Sequence, residues 1–238
     1  MSTGRGELHL IPVTLGESDP QVVLPASAVR AACALDYFIA ENAKSARHFL
    51  KSIGHARPLR ELQIECFDKD SSTERAIELL QPLLAGRSAG MVSEAGSPAI
   101  ADPGALLVSA AHARDIRVIP HVGPSAILLA LMASGFNGQR FAFHGYLPVA
   151  KDDCRRSIVT RERESREHDM TQVFIETPYR NDQLLQAFCE VCASNSRLCV
   201  ASDLTLSSES IRSATIGKWS ADNAVIGRRP SVFLLYAR

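Results

Sequence analysis

Met91-Val92-Ser93-Glu94-Ala95-Gly96-Ser97-Pro98-Ala99-Ile100-Ala101-Asp102-Pro103-Gly104 is the stretch whose reading decides the fold. Ser88 to Val92, running into it, is short and apolar enough for a buried strand, and Ala105 to Ala111 beyond it has helical character. Asp102 can accept a hydrogen bond from the first N–H groups of that helix, and Pro103 suits its first position. The whole reads as strand, small-residue loop and helix start. In an open α/β sheet such a loop lies at the carboxyl end of a strand, where ligands bind. Small residues let a ligand approach the backbone closely. A carboxylate at Glu94 argues against a bound phosphate, which wants a positive cradle. The plainer alternative is an ordinary turn.

Outward from this loop the pattern alternates strand and helix. Towards the N-terminus, strands are predicted over Leu8 to Val13, Asp36 to Ala40 and Leu62 to Phe67. Helices are predicted over Pro25 to Ala34, Ser45 to Ser52 and Ser71 to Ala85, the last with Ser71 and Glu74 as a capping box. Towards the C-terminus come a strand over Arg117 to Val122 and the turn Gly123-Pro124-Ser125. Ala126 to Ser134 follows, a helix apolar nearly all round and so expected to be buried. Phe141 to Leu147 is strand-like. The loops at 93–104 and 123–125 are expected to leave neighbouring strand ends. This half reads as a parallel α/β sheet with right-handed crossovers.

Composition changes at Lys151, which makes 148–152 a domain boundary and gives domains 1–147 and 148–238. Arg155, Arg156, Arg161, Arg163 and Arg166 alternate with acids through 155–166. That segment is either a solvated helix laced with ion pairs or a helix that faces nucleic acid. Strands over Thr171 to Thr177, Arg197 to Leu204, Ser210 to Gly217 and Pro230 to Ala237, with a helix from Asn181 to about Ala193, make the second half an α+β lobe with a mixed sheet.

The chain has 238 residues and a formal net charge of zero, which disfavours holding nucleic acid by bulk charge. No apolar run reaches the ~20 residues of a membrane span, and the N-terminus lacks a signal-type apolar core, so the cytoplasm is expected. Six cysteines are scattered, and Cys189-Glu190-Val191-Cys192 lies in a helical pattern without two further ligands nearby, so no metal is expected. Dinucleotide, P-loop, zincin and nucleophile-elbow motifs are absent. Seven histidines show no metal-ligand spacing; His144, in Phe143-His144-Gly145-Tyr146, is kept as a candidate.

Four segments in order carry a resemblance: SEAGSPAIADPG at 93–104, VGPSAILLALMASGF at 122–136, FAFHGYLP at 141–148 and IETPYRN at 175–181. They resemble the S-adenosylmethionine-dependent methyltransferases of the tetrapyrrole methylase superfamily, above all the branch of bacterial small-subunit ribosomal RNA cytidine 2′-O-methyltransferases. The resemblance implies a two-domain fold with S-adenosyl-L-methionine in the interdomain cleft, and a homodimer. It places cofactor contacts at Pro12, Glu94, Ser97, Ser125 and Ala126, and in the second lobe at Tyr179, Ala201 and Pro230. An ammonium or ribose hydroxyls on the ligand would suit Glu94.

The sequence departs from that branch on the acceptor side. Leu15-Gly16-Glu17-Ser18-Asp19 stands for a GNLED-like loop, Glu41-Asn42-Ala43-Lys44 for EDTR, and Ser93-Glu94-Ala95-Gly96 for SDAG. Glu41, at a strand end, is the candidate base or acceptor-positioning acid, with a helix-capping role as its alternative. Arg47, His144 and Arg180 are candidate acceptor contacts. The expected acceptor is a ribosomal RNA ribose hydroxyl, with ribosomal RNA or the small subunit as partner. A tetrapyrrole or other small acceptor, or a catalytically silent cofactor-binding module, are the alternatives.

Overall fold

A computed structural model describes residues 4–238. The chain divides into two compact units, residues up to Ser125 and Ala126–Arg238.

In the first unit, β1 (Leu8–Leu10), α1 (Pro20–Val23), α2 (Ala26–Ala34), β2 (Tyr37–Ala40) and α3 (Ala43–Ser52) come first. β3 (Gln63–Cys66), α4 (Thr73–Leu79), α5 (Gln81–Leu84), β4 (Ala89–Val92), α6 (Ala105–His112) and β5 (Val118–Pro120) follow. The five strands form one parallel sheet in the order β3-β2-β4-β1-β5. β4 and β5 are therefore not neighbours, contrary to expectation, because β1 runs between them. Such a sheet is covered on both faces, which is why β2 and β4 are buried along their whole length. One layer packs Tyr37, Ile39, Leu79, Leu83 and Leu107, the other Ile11, Phe38, Phe49, Leu50 and Val92.

Two helix starts differ from the sequence reading. Ser72, not Ser71, caps α4 by accepting from the Arg75 N–H. α6 has Gly104 at its cap position with no side-chain cap bond, so Asp102 does not open the helix.

The second unit contains α7 (Ala126–Ser134), β6 (Phe141–Tyr146), α8 (Lys151–His168), β7 (Thr171–Glu176) and α9 (Asn181–Val191). β8 (Arg197–Ser202), β9 (Ser210–Thr215), α10 (Ile216–Ala221) and β10 (Ser231–Tyr236) complete it. Its sheet has the order β6-β7-β10-β8-β9, with β6 parallel to β7 and the other pairings antiparallel. The α/β class with a parallel first sheet and a mixed second one is thus present. The division falls before α7 rather than at 147/148, because β6 is a strand of the second sheet and α7 packs on β8, β9 and β10.

α7 is buried on one face only, through Ile127, Ala130, Leu131 and Ser134, while Met132 is 79% exposed and Leu128 50%. The expectation of a helix buried all round is corrected accordingly. The core of this unit joins Phe174, Phe188 and Phe233 with Trp219. Trp219 donates from Nε1 to the Leu198 carbonyl at 2.9 Å and carries the Arg212 guanidinium 4.1 Å over its ring. Among the described residues no helix is long and apolar enough to cross a membrane.

The charged helix α8 is not a simple solvated ladder. Cys154, Ile158, Glu162 and Ser165 face inward. Glu162 accepts from the Ala193 N–H at 2.8 Å and from the Ser196 hydroxyl. Each arginine of 155–166 has a carboxylate partner: Glu190 and Asp152 for Arg155, Asp153 for Arg156, Glu164 for Arg161, Glu167 for Arg163 and Glu162 for Arg166. Those charges are spent internally.

Candidate active site

The carboxyl ends of β1, β2 and β4 meet in the first unit. The chain leaving β1 pairs with the chain leaving β4: Ile11 N–H donates to the Met91 carbonyl at 2.8 Å and Val13 N–H to that of Gly96 at 2.8 Å. Gly96 has φ +69, which favours glycine, and a Cβ there would stand 3.1 Å from Leu15 Cδ2, so that side chain would have to shift. Ser97 Oγ donates to the Pro124 carbonyl at 3.3 Å, carrying the loop past β1 to the turn after β5. Gly123 lies so close to Pro12 that a Cβ would collide with the proline ring. Pro12, Ser97 and the turn ending at Ser125 are thereby brought together, the Ser97 hydroxyl and the Pro12 ring each meeting the backbone of that turn. Ala99 and Ala101 take left-handed φ values of 64° and 63°, so 93–104 coils as an irregular loop instead of entering a helix.

Three carboxylates gather on this loop. Glu41, directly after β2, accepts from the backbone N–H of Glu94, while its Oε2 is buried with no partner. Burial, and then the charge of Glu94, push its pKa above the ordinary value. Asp102 is pushed up to about 6 by burial first and by Glu41 second, against a hydrogen bond with Ser93 that lowers it. An orphaned carboxylate oxygen beside two more acids is a proton acceptor in waiting, since both burial and like charge favour its protonated form. Sequence reasoning missed Asp102 by assigning it to a helix cap. Glu41 is not a cap either: Asn42 caps α3, accepting from Lys44 N–H at 2.9 Å and Ser45 N–H at 3.4 Å. Glu94 is exposed and stands at no helix start.

Beside the acids lies a cavity of about 490 Å³, lined by the loop after β1 (Val13 to Ser18), one face of α3 and Ser93 and Glu94. Lys44, Ser45 and His48 face it from α3. Arg47 does not line it; its guanidinium donates to the Ala43 carbonyl at 3.3 Å, back along its own helix. The cavity thus has a positive wall at the capped start of α3 and an acidic one at Glu17 and Glu94.

The remaining candidates lie in the second unit. Tyr179 is 79% exposed, with Arg228 5.0 Å over its ring. Ala201 is buried in β8, and Pro230 precedes β10 and accepts from Asp203 N–H at 3.0 Å. These three mark one end of the second sheet. Ala126 opens α7. Arg180 pairs with the buried Glu176 at 3.3 Å and donates to the Pro148 carbonyl at 3.1 Å. His144 donates from Nε2 to Gln172 Oε1 at 2.5 Å and stacks on Phe174; burial holds its pKa below the ordinary value. Among the described residues no group of three or more His, Cys, Asp or Glu is arranged to hold a metal ion.

No protein-family model matches the sequence. Over 219 residues the chain is 35% identical to ribosomal RNA small subunit methyltransferase I of Xylella fastidiosa (strain Temecula1), covering 91% of this chain and 74% of that protein. It is 29% identical over 214 residues to the protein of the same name from Escherichia coli O157:H7, covering 90% and 71%. Among solved structures, the methyltransferase CobJ superposes with a TM-score of 0.63 at 17% identity, covering 98% of this chain and all of that one. A uroporphyrin-III C-methyltransferase from Thermus thermophilus gives 0.55 at 16% identity, covering 98% and 92%. These structures share the fold.

Proposed function

The chain belongs to the family of ribosomal RNA small subunit methyltransferase I, a family of methyltransferases, and on that footing we propose that it moves a methyl group from S-adenosyl-L-methionine to a ribose hydroxyl of small-subunit ribosomal RNA. The observation that carries the acceptor chemistry is Glu41, whose buried Oε2 has no partner and whose neighbours Asn42 and Glu94 line a roomy cavity. A hydroxyl acceptor must lose a proton, and an unpaired buried carboxylate is suited to take it.

The first-unit loops fit the cofactor. Their backbones approach closely at Gly96 and at Gly123 against Pro12, and Glu94 offers an exposed carboxylate to an ammonium or to ribose hydroxyls. Pro12, Glu94, Ser97 and Ser125 would hold it there; Ala126, Tyr179, Ala201 and Pro230 are assigned to it by resemblance. When bound, S-adenosyl-L-methionine supplies a methyl carbon made electrophilic by its sulfonium.

Glu41 takes the acceptor proton. Burial first, and then the charge of Glu94, raise the proton affinity of Glu41. Lys44 offers the anionic strand a counter-charge from the cavity wall. Orientation of this kind supplies roughly 7–11 kcal/mol and a general base roughly 10²–10⁴-fold. Arg180 and His144 are retained as acceptor contacts. A homodimer belongs to the proposal, supported by the apolar side chains that α7 leaves exposed, as does action in the cytoplasm, where ribosomal RNA is found.

Calorimetric titration with S-adenosyl-L-methionine and its demethylated product, followed by mass analysis of small-subunit RNA from a deletion strain, tests this. Cofactor binding together with one lost ribose methyl supports the proposal. Binding with an intact set of methyl marks would reject the RNA acceptor, and no binding would reject the whole reading.

A further inference from the structure

The arginines that the sequence singles out, on α8, are all paired with acids. A different basic pair is not. At the end of the second sheet where β8 begins and β10 finishes, Arg197 and Tyr236 face each other across the strand register. Phe136 stacks on Tyr236 with centroids 5.4 Å apart. The Arg197 guanidinium sits 4.8 Å over Phe136, and that of Arg238 5.3 Å from the Tyr236 centroid. The two arginines and two rings gather beside a cavity of about 520 Å³ that Gly135 and Asn195 also line.

A guanidinium seated over an aromatic ring still has N–H edges for an acceptor. Among the described residues Arg197 has no carboxylate partner; its terminal nitrogen reaches only Ser213 Oγ, at 3.4 Å. Arg238 donates from Nε to the Tyr236 hydroxyl at 2.8 Å and lies 3.7 Å from Asp169. Asp169 is the one acid of the group, and it is also engaged by the Tyr236 hydroxyl and the Asn137 amide. Asp169 is thus shared among Arg238, Tyr236 and Asn137, and Arg197 keeps a guanidinium without a carboxylate partner among the described residues. Such a fork matches phosphate oxygens. Recognition here would be of backbone, not sequence.

We propose that the Arg197–Arg238 pocket is a phosphate-binding subsite that seats the backbone of the RNA, about 13 Å along β8 from Ala201 and the end of the sheet that carries Tyr179 and Pro230. The inference rests on the RNA reading given above.

The test measures binding of full-length protein to a small-subunit ribosomal RNA transcript across a salt series, with Arg197→Gln, Arg238→Gln and the double variant. Each change weakens binding roughly three- to tenfold and makes the logarithmic salt dependence shallower by about 0.7, the increment for one phosphate on a single strand. S-adenosyl-L-methionine affinity and Trp219 emission stay at wild-type values, which reports an intact fold. Arg197→Lys, which keeps the charge, recovers most of the salt slope and carries the test if the glutamine variant unfolds. A double variant with wild-type RNA affinity and slope overturns the subsite while RNA methylation by the wild type still stands. The subsite is equally overturned if inorganic phosphate binds at these arginines but the variants leave RNA affinity unchanged. Failure of the wild type to bind or methylate any RNA rejects the acceptor reading and the subsite with it.

Discussion

The carboxyl group of Glu41 hangs from the backbone N–H of Glu94, and its second oxygen is buried with nothing to bond. An unmade hydrogen bond on a buried acceptor costs about 1–3 kcal/mol, so the arrangement is an expense for stability alone. Glu41→Gln keeps the shape and removes the base. It lowers kcat for RNA methylation by roughly 10²–10⁴-fold and leaves cofactor affinity within about threefold. Single-turnover methyl transfer and cofactor titration check the two numbers separately.

Asp102 gives a second handle, with a defined sign. Its pKa in the fold, about 6, lies above the ordinary carboxylate value of 3.8. A raised carboxyl contributes its stability fully below the ordinary value and loses it as pH rises through about 6. Asp102→Asn removes that loss, so its melting temperature exceeds wild type by more at pH ~7.5 than at pH ~5. Equal stabilisation at both pH values would contradict the assignment.

Gly96 ties the two loops together in a conformation that other residues resist. Gly96→Ala costs roughly 1–2 kcal/mol for the left-handed backbone, besides the displacement of Leu15. Denaturant unfolding should show that loss, and cofactor titration should show weakened binding even where the variant is folded.

His9 on β1 and His121 after β5 share a hydrogen bond of 3.0 Å, and burial holds both pKa values below the ordinary 6.5. Glu7, which raises His9, and Arg117, which lowers it, are the charged neighbours. Two imidazoles held neutral in the fold and charged when unfolded make stability fall as pH drops from about 6.5 towards their lowered values. His121→Gln flattens that fall. Melting curves at several pH values between ~7 and ~5 measure it.

Much of this is legible from one sequence because strands and helices obey their periods. The buried run of β4, the strand at β7 and the apolar α7 can be read directly, and so can the small-residue loop at 93–104. What fails depends on the chain elsewhere. Asp102 reads as a cap because it precedes a helix, yet the left-handed turns at Ala99 and Ala101 swing it towards Ser93 and Glu41. Arg47 stands out over Lys44 and His48 because a helix start at Ser45 hides the phase that Asn42 sets. β1 lies between β4 and β5 through crossovers that no local pattern records. Glu162 looks solvated because its partners, Ala193 and Ser196, come from a distant turn. Ser210 to Gly217 reads as one strand, whereas Thr215 caps the short helix α10 and ends it early.

Trp219, the sole tryptophan of the chain, lies in the core of the second unit. The polypeptide therefore carries a natural optical probe on one side of its internal division and is dark on the other. Heating followed by indole emission records the melting of Ala126–Arg238, whereas far-ultraviolet dichroism records both halves. Two superimposable curves would describe a single cooperative transition. Curves that separate would apportion thermal resistance between the half that holds Glu41 and the half that holds Arg197, without any label being attached.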